Sequence, residues 1–172
     1  FPFVRGDITD RDERRLACDA PAWDICVDYA TIDKDAARWA GAEGQIVSFG
    51  ERLRILREPD RISPAWRAIA EFADLPITEL LTRAAGIRRQ VRRIKEIVSE
   101  HRGVETVVVE ERMSHPIVKG LDARERVEAT LTLSSFEAIK IGASHTRTYT
   151  GGPAFGHILG RLGEVDPDAI QE

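Results

Sequence analysis

The sequence predicts an α+β domain of two layers, with a long amphipathic helix packed on a mainly antiparallel sheet. Three observations carry this expectation. Apolar residues recur at heptad spacing from Ile77 to His101, with Ile77, Ala84, Val91 and Val98 on one row and Leu80, Ile87 and Ile94 on the next. Such a stripe lets a long helix bury one face. On either side of it, segments alternate apolar and polar residues with the period of two of a half-buried strand. Helical segments are grouped in the middle and strands toward the end, unlike the regular alternation of a parallel α/β sheet.

The elements follow in order. Thr9 or Asp10 is placed to cap a short helix running through Arg15 and Leu16. Trp23, Ile25, Val27 and Tyr29 alternate with Asp24, Cys26 and Asp28, which predicts a strand over 23–30. Asp33 to Trp39 reads as a short helix ended by Gly41 or Gly44. Ser48 and Glu51 have capping-box spacing, and Phe49, Leu53 and Leu56 then share a helical face. Ser63-Pro64 is a cap followed by proline at the first helical position, with Trp66, Ile69 and Phe72 behind it. Pro76 restarts the chain into the long helix, which Gly86 interrupts and Gly103 stops.

Beyond it, Val104 to Val109 is β-branched and strand-like. Val127, Ala129, Leu131 and Leu133 alternate with Glu128, Thr130 and Thr132, as do the residues from Ile139 to Tyr149. Ser134-Ser135 between them suits an antiparallel hairpin. A terminal helix is expected over 155–162. The chain of 172 residues suits a single domain. It is read as a mixed segment over 1–75, the long helix over 76–102, strands and a terminal helix over 103–162, and an acidic tail over 163–172.

Composition bounds the function. Net charge is −4 and 42% of residues are hydrophobic, as expected of a soluble globular chain. No stretch approaches the ~20 apolar residues of a membrane span, and the first residues lack the charge-then-apolar order of a signal peptide. A cytoplasmic protein is expected, with no membrane partner. Cys18 and Cys26 are too few for a disulfide scaffold and are read as free thiols. The histidines are scattered and show no zinc spacing, so no metal and no cofactor are expected. Gly151 to Gly156 lacks the Lys and Ser/Thr that a phosphate loop requires.

Two polar groups are candidate sites. His145, Arg147 and Tyr149 share one face of the last strand. Arg147 with Tyr149 would hold a carboxylate or phosphate, and His145 would titrate near neutral pH. Glu110, Glu111 and His115 follow the valine-rich segment and would complete an acid–base set with His145. The leading expectation is thus a domain that binds or transforms a small anionic metabolite, with its status as an enzyme left open.

The long helix offers a second reading. Arg83, Arg88, Arg89, Arg92, Arg93 and Lys95 give +6 with no acid among them; against the chain's −4 this leaves −10 on the remainder. Arg88, Arg89, Arg92 and Arg93 would then contact nucleic acid or an acidic protein. Ile77 to Ile87 has the spacing of the first helix and turn of a helix-turn-helix. Arg92 and Lys95, however, stand where that unit needs apolar anchors. The heptad stripe would serve either to pack on the sheet or as the seam of a homodimer. A third reading is a structural subunit of an assembly.

Overall fold

In the computed structural model, residues 5–41 and 47–150 are described. The predicted stop at Gly44, the phosphate-loop comparison at 151–156, the helix over 155–162 and the tail over 163–172 lie outside them. The fold is α+β, with a four-stranded antiparallel sheet and helices grouped between its strands. The chain divides into two compact units, one of Phe1–Pro21 with His145–Glu172 and one of Ala22–Ser144.

In the larger unit, strand β2 (Arg15–Asp28) pairs antiparallel with β3 (Ser114–Leu121), setting Ile25 against Val118 and Val27 against His115. Ile25 and Val27 are fully buried, as the period of two requires. Asp28 ends the strand and caps helix α1 (Tyr29–Ala40), its Oδ1 accepting from Thr31 N at 2.7 Å. Helix α2 (Phe49–Arg57) begins at the predicted cap, Ser48 Oγ accepting from Glu51 N at 3.2 Å. Helix α3 (Ala65–Ala73) buries Trp66 and Ile69. Helix α4 (Ile77–Arg102) ends where Gly103 adopts the left-handed conformation that a residue without Cβ tolerates.

The heptad rows of α4 face the core. Leu80, Ala84 and Val91 are buried, and Ile77, Ile87, Ile94 and Val98 pack against them. The helix lies along α1 and also meets α3 and β3. Inside the core, the Asp35 carboxylate accepts from Trp66 Nε1 at 2.8 Å and from Ser63 N at 2.9 Å. That carboxylate ties α1 to the start of α3.

In the smaller unit, strand β1 (Ile8–Thr9) pairs with the first residues of β2. The last strand, β4 (Ile139–Tyr149), whose residues 139–144 belong to the larger unit, pairs with β2. Thr150 N, just past its end, donates to Leu16 O at 3.0 Å.

Several expectations are corrected. Residues 10–16 form a turn and a strand rather than a helix. Asp10 Oδ1 accepts from Asp12 N and Arg14 N, so its side chain stabilises a turn instead of capping a helix. In α2 the buried residue is Ile55, whereas Phe49 is exposed.

Residues 127–133 belong to helix α5 (Ala123–Leu133), not to a hairpin strand. Asp122 and Glu125 form a reciprocal capping box, with both bonds at 2.8 Å, and this start signal outweighs the alternation. Ala129 and Leu133 are consequently buried while Val127 and Leu131 are exposed. Residues 104–109 are no strand either, and only Val108 of the four valines is buried. Thr106 N donates to Ser99 Oγ and Val108 N to Glu111 Oε2, so side chains satisfy donors that a strand would give to a neighbour. A short 3-10 turn, Val109–Arg112, follows.

Candidate functional site

The polar row of β4 emerges from half-buried Ile139 and Ile141 to exposed His145 and Tyr149, with Arg147 half-buried between the last two. Arg147 is committed inside the chain. Its Nη1 donates to Gly6 O at 2.9 Å and to Asp19 Oδ1 at 3.2 Å. The two side chains of this ion pair are 11% and 5% exposed, so the guanidinium is not presented to a ligand. Asp19 also accepts from Arg5 N at 2.8 Å. That backbone donor, with Arg147 beside it, holds the Asp19 carboxyl below the usual range against the opposing effect of burial.

The second group lies in the larger unit, on and beside the 3-10 turn. Glu111 Oε1 accepts from Lys95 Nζ at 3.1 Å, and Glu105 Oε1 lies 3.3 Å from the same ammonium. Hydrogen bonds donated to Glu111 and Glu105 raise the Lys95 pKa. His115 Nε2 stands 2.8 Å from Glu110 O. A carbonyl can only accept, so that nitrogen carries the proton. The His115 ring meets buried Tyr29 edge-on at 5.7 Å. Burial and then nearby Asp33 push the Tyr29 hydroxyl up. Glu110 acts through its backbone, and Glu111 through a salt bridge. His145 belongs to the other unit by chain division.

The basic run of α4 divides among three faces. Arg88, Arg92 and Lys95 line a cleft of about 440 Å³ with Tyr29, Asp33 and Glu111. Arg88 Nε donates to Asp33 Oδ1 at 2.7 Å. Carboxylates thus cover cations on this side. Arg83 turns to β3, donating to Ile117 O at 2.8 Å. Arg89 and Arg93 are exposed. The six positive charges are therefore not one basic face, as the sequence count suggested.

Among the described residues, no group of three His, Cys, Asp or Glu side chains is placed to hold a metal ion. No described helix is long and apolar enough to cross a membrane. Both cysteines are free thiols, and Cys18 Sγ lies 3.2 Å from Thr148 Oγ1.

With this geometry in place, comparison with protein families matches residues 2–172 to the penicillin-binding protein dimerisation domain. The chain belongs to that family. No curated protein matches it. The family match overturns the leading expectation of a domain acting on a small anionic metabolite. The charge pattern that suggested it has another physical use, since Arg147, Glu111 and His115 hold parts of this chain to one another. The residue pattern alone does not single out Asp19 or Glu105, the carboxylates that partner Arg147 and Lys95.

Proposed function

We propose that this chain is an assembly domain of a penicillin-binding protein, and that it associates with a second copy of itself. The observation that carries this reading is the family match over residues 2–172. The internal use of Arg147 and Lys95 supports it, since both act as fasteners within the fold. The structural-subunit reading of the sequence agrees with this proposal better than the metabolite reading does.

Co-purification of two differently tagged copies tests it. Mixed at micromolar concentration and pulled down through one tag, the chains are expected to bring the other tag with them. Recovery of only the tagged copy across the accessible concentration range would overturn the reading.

A further inference from the structure

Helix α4 buries its heptad rows in the core, and its flanking faces pair through Arg83, Arg88 and Lys95. The face opposite the core carries Arg89, Arg93, Glu96 and Glu100, all exposed, with Glu96 at its edge where it also lines the cleft beside Arg92. At about 100° per residue these four fall within an arc of roughly 60°. Among the described residues, none of their side chains enters a hydrogen bond or ion pair, in contrast to Arg83, Arg88 and Lys95 on the other faces. Ile97, which is 56% exposed, flanks the row.

The charges on this face are segregated, two cations first and two anions after. The residue pairs 89 with 100 and 93 with 96 share one midpoint, between Ile94 and Lys95. A second α4 laid antiparallel about a two-fold axis at that midpoint therefore sets Arg89 against Glu100 and Arg93 against Glu96. Symmetry makes each pair occur twice. A parallel copy in the same register would set like charges together, which costs association energy and so fixes direction.

The geometry points to the outward face of α4 as a two-fold interface between copies of this chain, with Arg89, Arg93, Glu96 and Glu100 as its register-setting residues. This rests on the reading of the chain as an assembly domain. A single helix pair is smaller than the roughly 1,200–2,000 Å² of a stable interface. Exposed ion pairs are also screened by salt. The association is accordingly reversible and weakens as ionic strength rises.

The test compares three forms of the full chain by sedimentation velocity at low ionic strength: wild type, R89E/R93E and E96R/E100R. Each double variant presents one sign of charge along the row and is expected to dimerise about tenfold or more weakly than wild type. An equimolar mixture of the two is expected to regain association, because opposite rows now face each other. A misfolded variant could not give this rescue. The neutral pair R89Q/R93Q is expected to lose most of the salt dependence. Wild-type dimerisation unchanged in both charge variants, or no rescue on mixing, would overturn the interface while leaving the assembly reading intact. A wild type that stays monomeric at every concentration would overturn both.

Discussion

The guanidinium of Arg147 donates to the carboxylate of Asp19 at 3.2 Å, and both side chains are nearly sealed from solvent. The pair links the end of β4 to the first half of β2, and Gly6 O and Arg5 N complete its hydrogen bonds. Losing one partner leaves a buried charge without its counter-ion, which is more costly than replacing both. Arg147→Ala is expected to lower Tm clearly, and the joint replacement Arg147→Met with Asp19→Leu to lower it less. Equal losses in a thermal melt would contradict the pairing.

The same pair predicts an acid dependence. The Asp19 pKa is lowered in the fold. Its contribution is therefore complete above the unfolded value of about 3.9 and is lost as pH falls through the lower folded value. Asp19→Asn should reduce stability at neutral pH and flatten that acid loss. A Tm-against-pH profile of Asp19→Asn parallel to wild type would refute this.

Lys95 fastens the segment after α4 through Glu105 and Glu111. Its raised pKa makes this contribution complete below the unfolded value of about 10.4 and lost as pH rises through the folded one. Lys95→Met should speed amide exchange at Val108, whose N–H depends on Glu111 Oε2. Unchanged exchange there would mean that the valine-rich segment is held by packing alone.

Asp35 is fully buried and accepts from Trp66 Nε1 and Ser63 N. Asp35→Ala strands both donors and should cost about 2–5 kcal/mol in a denaturant titration, with a change in Trp66 emission. A loss under about 1 kcal/mol would show that water or a neighbour replaces the carboxylate.

Gly86 sits inside α4 without a positive φ, and an added Cβ would meet only Arg89 Nη2, at 3.9 Å. Gly86→Ala should therefore stabilise the chain by about 0.5–1 kcal/mol through helix propensity. Destabilisation would reveal a close approach at this point of the helix.

These residues also separate what could be read in the sequence from what could not. The heptad rows of α4, the Ser48 cap and the Gly103 stop are local signals, and each lies where the sequence put it. Helix α5 was misread because its apolar residues alternate, while the deciding signal was the two-residue capping box of Asp122 and Glu125. Strand β3 went unread, since His115, Pro116 and Gly120 disguise it and its place depends on pairing with β2. The partners of the candidate site residues are illegible in the sequence for a related reason. Charge and spacing revealed that Arg147, Glu111 and His115 were polar groups in patterned positions. Only three-dimensional proximity revealed Asp19, Lys95 and Glu110 as their partners.

The most direct test is the solution mass of the unmodified 172-residue chain, measured by light scattering across a concentration series at low salt. Self-association predicts a concentration-dependent rise from 19.2 kDa toward twice that mass, reversed by added salt. A constant 19.2 kDa at every concentration would contradict it.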